Sequence, residues 1–286
     1  MTGTKLEKAG WRQGSIIKPE DIANILPRAN TTHDKIEYNN NLILVVASQS
    51  CDIASDSTDL EPIIELSVAR QISEQNGNYV HNHSPRLLHT SILIRSDDIN
   101  TSSYTQYIEC RAFEKLFVPK ECFDGMQPDA SRILQEKFLE SYVAWLAARY
   151  SRPALPTEFN NRISIVDPKD QRKKKVKKMN EHLSGIYIDI SPNREIGCDE
   201  QYRVDLLGLV PATFNLRGDL AKSVETLLGE YAEIMKQAGM DVQHVLSKED
   251  EISVTEMRRF QRFYYDDLSF KEETFLPVEV STRALI

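Results

Sequence analysis

An unbroken apolar run at residues 42–47 is the feature that most constrains how this chain can fold. Its sequence, L-I-L-V-V-A, has the length and the β-branched content of a strand that is covered on both faces. The run passes directly into residues 48–52, S-Q-S-C-D, whose side chains are small and polar, nucleophilic or acidic. We therefore predict a central strand whose end carries a candidate site. The alternative interpretation is an ordinary strand end.

Length, charge and cysteine content limit the class of protein. With 286 residues, the chain can form one large domain or two of ordinary size, and we expect two. A net charge of -8 makes the field of the whole molecule repel nucleic acid, so such a partner needs a local basic patch. The four cysteines form no C-x-x-C pair, which argues against a zinc knuckle and against a disulfide framework.

The sequence does not indicate a membrane protein. No apolar run approaches the ~20 residues needed to cross a bilayer, and residues 1–11 lack the apolar segment of a signal peptide. We therefore expect a cytoplasmic protein with reduced thiols and no membrane partner.

Hydrophobic periodicity predicts an α+β fold with a β-rich N-terminal half. After the first strand, residues 62–70 and 89–95 alternate between apolar and polar, and residues 104–116 are a further strand candidate. A small, strongly bent sheet or barrel is the natural way to close such short strands. A long central helix over residues 130–150, capped by Asp129, then supplies a broad apolar face.

The C-terminal half is predicted to be α+β as well. Its expected elements are strands at 185–190, 202–210 and 242–246, a helix at 220–238 ended by Gly239, and a helix that runs from a Ser253–Glu256 capping box to about residue 265. We therefore expect a β-rich domain at 1–120, a helical connection at 121–166 and an α+β domain at 167–286.

Two carboxylates near the first strand indicate one type of chemistry. Asp52 and Glu65 are the residue types that hold Mg²⁺ between adjacent strands in metal-dependent nucleases. The lysine that such a site places beside the glutamate is missing, because Leu66 and Ser67 follow Glu65. The alternative is a solvated Asp52 and an ion-paired Glu65. The sequence assigns neither a set of metal ligands nor a cofactor.

Cys51 indicates a second type of chemistry. A thiolate at a strand end is a nucleophile when a base lowers its pKa, and His81, His83 and His89 follow in or beside a nearby loop. The same side chains are zinc-ligand types, but their spacing matches no standard module. The alternative is an inert structural cysteine, since free cysteines are among the most buried residue types.

Four arginines are candidate binding residues. Arg70 and Arg86 lie at the ends of predicted strands or loops, where a guanidinium group suits recognition of phosphate or carboxylate. Arg149 and Arg152 lie at the end of the long helix. Their alternative role is to complement the C-terminal dipole of that helix.

Lys173 and Lys174 belong to the densest basic run, at residues 167–178. The run attracts phosphate, but it has no interleaved aromatic residue on which a base could stack. A solvated loop is the alternative interpretation.

Four sequence blocks resemble the recurring blocks of an uncharacterised bacterial family. They are S-Q-S-C-D-I at 48–53, E-P-I-I-E at 61–65, S-P-R-L-L-H at 84–89 and R-Y-S-R-P-A-L-P at 149–156. That family has no assigned activity, so the resemblance implies no catalytic role. The opening G-x-x-x-x-S-I-I at 10–17, followed by the L-I-L-V-V strand, is also similar to the small barrel of MazF-type ribonuclease toxins.

These observations lead to two main hypotheses. The first is a soluble bacterial protein of genomic conflict, of the phage-defence or toxin type, that acts as a hydrolase on nucleic acid or a nucleotide. Its catalytic residues would be Asp52, Glu65 and Arg86, assisted by Cys51 or a loop histidine, and they would have to converge with the Pro85–Arg86 turn in one cleft. The second is a non-catalytic binding or adaptor protein with a protein partner. Thiol-dependent hydrolysis through Cys51 is a third hypothesis.

Overall fold

The structure is a computed structural model, and it describes residues 2–32, 36, 39, 41–80, 82, 84–96, 102–151, 154–169, 171 and 182–263. It shows mixed helices and strands, consistent with the predicted α+β class. The chain divides into two compact units, residues Met1–Tyr150 and Ser151–Ile286. This division falls inside 121–166, the segment predicted as a helical connection.

The first unit is built on a curled antiparallel sheet. Its strands are β1 Asn30–Thr31, β2 Leu42–Val46, β3 Ile63–Ile72, β4 Leu87–Ile94, β5 Tyr104–Pro119 and β6 Arg132–Ile133. They follow the order β2-β3-β5-β4-β6, and β1 also pairs with β5. The helices of this unit are α1 Thr2–Lys8, α2 Pro19–Ile25, α3 Ser50–Ala54 and α4 Glu136–Ser151.

Strand β2 is buried on both faces, as the apolar run predicts. Its side chains divide between two hydrophobic cores, with Leu42, Leu44 and Val46 in one and Ile43 and Val45 in the other. The strand is not central in the sheet order, however. It pairs with β3 on one side, and residues 14–17 run along its other side through a bridge from Ile16 to Val45. This edge of the sheet is therefore covered by the chain itself.

Strand β5 contains a bulge in its middle. It pairs with β3 over both of its halves, but the register shifts: Ser67 lies opposite Lys115, whereas Ala69 lies opposite Cys110. Residues 111–114 therefore bulge out opposite Val68. A bulge of this kind bends a strand and redirects the side chains on it.

Helix α4 covers one face of the sheet through the buried side chains of Tyr142 and Trp145. It begins at Glu136, not at residue 130, so the predicted start was wrong. The carboxylate of Asp129 accepts hydrogen bonds from the backbone N–H and the hydroxyl of Ser131, at 2.8 and 2.6 Å. It therefore caps a turn before β6, and the helix starts only after that strand.

The second unit has its own sheet and core. Its elements are α5 Thr157–Val166, β7 Gly185–Ser191, β8 Arg203–Val210, α6 Asp219–Gln237, β9 Asp241–Lys248, α7 Val254–Met257 and β10 Gln261–Arg262. The strands follow the order β10-β7-β8-β9, and β8 and β9 are parallel. Helices α5 and α6 contribute Phe159, Ile163, Val224 and Leu228 to the larger core on one face of this sheet.

Two local signals in this unit are confirmed. Gly239 follows α6 with a φ of +79°, a left-handed conformation that glycine adopts easily. Ser253 and Glu256 form the predicted capping box at the start of α7. That helix ends at Met257, however, and β10 replaces its predicted continuation to about residue 265.

Among the residues that the structure describes, no helix has both the length and the apolar character required to cross a membrane.

The carboxylate of Asp56 attaches α1 to the segment after α3. Its Oδ1 and Oδ2 atoms accept hydrogen bonds from the backbone N–H and the hydroxyl of Thr4, at 2.9 and 2.7 Å. These bonds hold the pKa of Asp56 below its ordinary value. The carboxylate therefore stabilises the fold above the pKa that it has in the unfolded chain, and this contribution is lost as the pH falls through the folded pKa.

We expect Asp56→Asn to lower the urea midpoint of unfolding at neutral pH, and the difference from wild type to shrink below about pH 4. Asp59→Asn is the matched control, since Asp59 is exposed and makes no hydrogen bond to any described residue. Urea titrations at a series of pH values test this. A difference that stays constant down to about pH 2 would contradict the assignment.

Candidate functional site

The polar cluster after β2 mainly completes backbone hydrogen bonding. The Ser48 hydroxyl accepts a hydrogen bond from the backbone N–H of Glu65 at 2.8 Å, and the Ser50 hydroxyl accepts one from the N–H of Gln13 at 3.1 Å. The Gln13 side chain in turn donates to the carbonyl of Ala47 at 2.8 Å. These bonds hold the corner between β2 and α3 together, which is the ordinary strand-end role.

Cys51 is exposed on α3. Its Sγ lies 3.3 Å from Oδ1 of Asp52 and 3.5 Å from Oε1 of Gln49. Both neighbours are acceptors, so the sulfur is the hydrogen-bond donor in these contacts. The predicted base His89 bonds to other groups, as described below, and His81 and His83 lie outside the described residues.

A lysine that the sequence did not indicate lies beneath this corner. Lys120 is fully buried, and its Nζ donates hydrogen bonds to the carbonyls of Asp52 and Ser55, the latter at 3.0 Å. Burial lowers the pKa of Lys120. The ammonium group thus satisfies carbonyls at the C-terminal end of α3, where a positive charge also interacts favourably with backbone dipoles.

Glu65 has a lysine partner, but this lysine comes from β5 and not from the residues that follow the glutamate. The Nζ atom of Lys115 donates a hydrogen bond to Oε1 of Glu65. The Lys115 side chain is only 8% exposed, whereas that of Glu65 is 30% exposed. The ammonium group is thus buried beside a carboxylate that still reaches water.

Two hydroxyl groups complete what we call the lysine cluster: Glu65, Ser67, Lys115 and Tyr142. Ser67 is the register partner of Lys115 across β3 and β5, which places both on one face of the sheet. The phenol of Tyr142 donates a hydrogen bond to the Ser67 hydroxyl at 2.8 Å. Burial raises the pKa of Tyr142 well above its ordinary value, so the phenol keeps its proton.

The opposite face of the sheet carries a second group, the arginine cluster: Arg70, His89, Glu109, Arg111 and Glu114. Arg70 binds Glu114 through two nitrogens, and this pairing raises the pKa of Arg70. Oε1 of Glu109 accepts a hydrogen bond from Nε of Arg111 at 2.9 Å. The bulge of β5 brings Glu114 to Arg70, although Arg70 lies opposite Glu109 in the register.

His89 connects the arginine cluster to the preceding loop. Its Nδ1 accepts a hydrogen bond from the backbone N–H of Asn76 at 3.0 Å. Its Nε2 must then carry the proton, and it donates to Oε2 of Glu109 at 3.2 Å. Both ring nitrogens are therefore engaged, and the ring itself is buried.

The structure does not bring Arg86 into contact with the other predicted catalytic residues. Arg86 is exposed in the bend before β4, where its carbonyl accepts a hydrogen bond from Ala112. Glu65, by contrast, lies opposite Phe117, farther along β5. Within the described chain, no hydrogen bond or ion pair joins Arg86 to Asp52, Glu65 or Cys51. The expected convergence at Pro85–Arg86 needs correction, because β4 and the start of β3 pair with different parts of β5.

The remaining predicted binding residues are either exposed away from the two clusters or outside the residues that the structure describes. Arg149 is exposed in the last turn of α4. Arg152, Lys173 and Lys174 lie outside the described residues, and their predicted roles stay predictions. In the part of the chain that the structure describes, no group of three histidine, cysteine, aspartate or glutamate side chains is arranged to hold a metal ion.

No protein-family model, curated protein or solved structure matches this chain.

We expect the ion pair in the lysine cluster to stabilise the fold in a coupled way. Glu65→Met should lower the free energy of unfolding by about 2–4 kcal/mol, because it leaves the Lys115 ammonium group buried and unpaired. Lys115→Met should be milder, because the Glu65 carboxylate reaches water. The double variant should be less destabilised than the sum of the single variants, and urea unfolding of all four proteins measures this coupling.

The exposed pair of Glu7 and Arg12, whose side chains are 52% and 48% exposed, is the matched control for that cycle. Methionine at both positions should show a coupling energy of about 0–1 kcal/mol, as is usual for surface pairs. Equal coupling in the two cycles would contradict a special role for Glu65 and Lys115.

The cysteines should differ in their reactivity. Cys51 and Cys198 are exposed, whereas Cys110 and Cys122 are buried, and burial raises the pKa of Cys110 to about 12. In the native protein at neutral pH, we expect iodoacetamide to label Cys51 and Cys198 at comparable rates and to leave the buried pair unlabelled until urea is added. Peptide mapping by mass spectrometry measures these rates. Labelling of Cys51 much faster than Cys198 would favour the thiol-nucleophile hypothesis.

Proposed function

We propose that this chain is a non-catalytic binding protein of the adaptor type. The observation that carries the proposal is that the ionisable side chains around the predicted site bind one another. Glu65 is paired with Lys115, and Glu114 is paired with Arg70. These two pairs use Glu65 and Arg70, two of the predicted site residues, for internal contacts on the two faces of the sheet.

The arginine cluster supports the proposal in the same way. A general base needs a lone pair that is directed at the substrate. In His89, Nδ1 accepts the backbone N–H of Asn76 and Nε2 donates to Glu109. Glu109 itself accepts hydrogen bonds from His89 and Arg111 on separate oxygens. This arrangement is that of a closed network that holds strands and a loop together.

The second candidate function is the hydrolase of genomic conflict that acts on nucleic acid or a nucleotide. One observation favours it: Lys115 supplies next to Glu65 the ammonium group that the local sequence lacks. An ammonium group beside a carboxylate suits a site in which the lysine polarises a phosphate. Such a site would also need Asp52, whose Oδ1 accepts a hydrogen bond from the Cys51 thiol.

An activity panel separates these candidates. The full chain is incubated with single- and double-stranded DNA, RNA and nucleoside triphosphates, with Mg²⁺ or Mn²⁺, and products are separated by electrophoresis or chromatography. We expect no turnover that depends on the site, so that wild type, Asp52→Asn, Glu65→Gln and Lys115→Met give the same background.

Asp59→Asn serves as the surface control for that panel. Turnover by wild type and Asp59→Asn that Glu65→Gln abolishes, with circular dichroism unchanged, would overturn the binding-protein proposal and establish the hydrolase. Stability gives a second readout. If Glu65 and Lys115 form a structural pair, removing one partner should lower the free energy of unfolding of the protein. If they are active-site groups, replacing one of them commonly raises it.

A further inference from the structure

Strand β9 is an edge strand of the second sheet, because it lies at the end of the order β10-β7-β8-β9. It pairs in parallel with β8 along its whole length, from Asp241 opposite Arg203 to Lys248 opposite Val210. The backbone N–H groups of Asp241 and Glu249 point to β8, where they donate to the carbonyls of Tyr202 and Val210. Since successive residues alternate, the N–H and C=O groups of residues 242, 244, 246 and 248 point away from β8. No described strand pairs with this outer side.

Within the described residues, the outer edge of β9 lacks the features that usually protect an edge strand. Residues 242–247, V-Q-H-V-L-S, contain no charge, proline or glycine, and charges occur only at the two ends of the strand. Gln243, His244 and Val245 are exposed, and Val245 is 50% exposed. Edge strands of this kind are templates for pairing with another strand. The corresponding edge of the first sheet, at β2, is covered by residues 14–17.

We propose that a second copy of this chain docks at this edge, with the two β9 strands antiparallel and His244 on the two-fold axis. This inference rests on the proposed binding function and names the partner that one of its surfaces takes. The outward groups of His244 suit the arrangement, because an antiparallel residue pair that faces itself across a dyad exchanges two N–H···O=C bonds.

The side chains of β9 are self-complementary in that register. With His244 opposite its symmetry mate, Val242 lies opposite Leu246, Gln243 opposite Val245, and Asp241 opposite Ser247. No like charges face each other, and two apolar pairs flank the axis. Moving the axis to Val245 would place Asp241 opposite Glu249, a repulsive pair. Of these two registers, the charges favour the one with the axis at His244.

Helix α6 leaves room for His244 at this edge. The imidazole lies where a side chain on Gly229 would be, since a Cβ at that position would be 3.1 Å from Nε2. Glycine within a helix weakens it, so a packing reason is expected at this position. Close contact with the imidazole of His244 is such a reason.

The test uses the full chain in sedimentation equilibrium over a range of concentrations. We expect wild type to show a monomer–dimer equilibrium in the micromolar range, since a single strand pairing buries a small interface. His244→Pro removes the outward N–H without touching the bonds to β8, so the dimer should weaken by about tenfold or more. His244→Thr keeps the N–H and is the matched control, with a dimer constant close to that of wild type.

A disulfide cross-linking experiment tests the proposed register of the two β9 strands. In a Cys51→Ser, Cys198→Ser background, His244→Cys should form a covalent dimer under mild oxidation, because its Cα lies about 5.5 Å from its mate. Gln243→Cys should not, since it lies opposite Val245 of the other copy. Efficient cross-linking of Gln243→Cys, or a dimer that His244→Pro leaves unchanged, would overturn the inference.

A wild-type chain that is monomeric at all concentrations would also overturn it. Slow hydrogen exchange of the His244 amide in such a monomer would show that another segment of the same chain covers the edge. Neither result would touch the binding-protein proposal, which only site-dependent turnover in the activity panel removes.

Discussion

Backbone pairing with β5 is the constraint on which the first unit depends. This strand of 16 residues pairs with β3, β4 and β1, and it carries Glu109, Glu114 and Lys115. The bulge at residues 111–114 lets one strand pair with β3 on both sides of a bend. Because side chains alternate across a strand, the bulge also decides which charged residues reach which face.

The charge pairs follow from that geometry. Directly after the bulge, Lys115 lies on the face of the sheet that α4 covers, and it binds Glu65. Within the bulge, Glu114 lies on the opposite face, and it binds Arg70. A charged group in a partly buried position is costly unless it is paired, so each of these residues needs its partner for the fold to be stable. The same pairing uses Glu65, Lys115, Arg70 and Glu114 for contacts within the fold, which is why we favour recognition over catalysis.

The two sheets differ in whether the outer backbone edge of the terminal strand is covered. The outer side of β2 is bonded by residues 14–17, whereas β9 presents exposed, uncharged residues beside its outward backbone groups. Burial explains the contrast. The side chains of β2 enter two cores, so its edge lies inside the unit, but the side chains of β9 from Gln243 to Val245 remain in contact with solvent.

The sequence by itself determined those features that depend on neighbours along the chain. The burial of β2, the positions of β3 and β4, the end of α6 at Gly239 and the Ser253 cap all depend on side-chain periodicity or on a turn of a few residues. The predicted alternation of β3 and β4 did not extend to their burial, because residues 66–69 and 88–92 are buried on both faces. The start of α4 was mispredicted, because Asp129 can cap a turn as well as a helix and only the pairing of β6 with β4 decides between them.

Only the tertiary structure decided the composition of the candidate sites. Glu65 and Lys115 are 50 residues apart in the chain, Arg70 and Glu114 are 44 apart, and Lys120 reaches the Asp52 carbonyl over 68 residues. No local pattern records such pairs, since they depend on strand order and on a register shift within β5. For the same physical reason Arg86, which the sequence grouped with Asp52 and Glu65, lies along a different part of that strand.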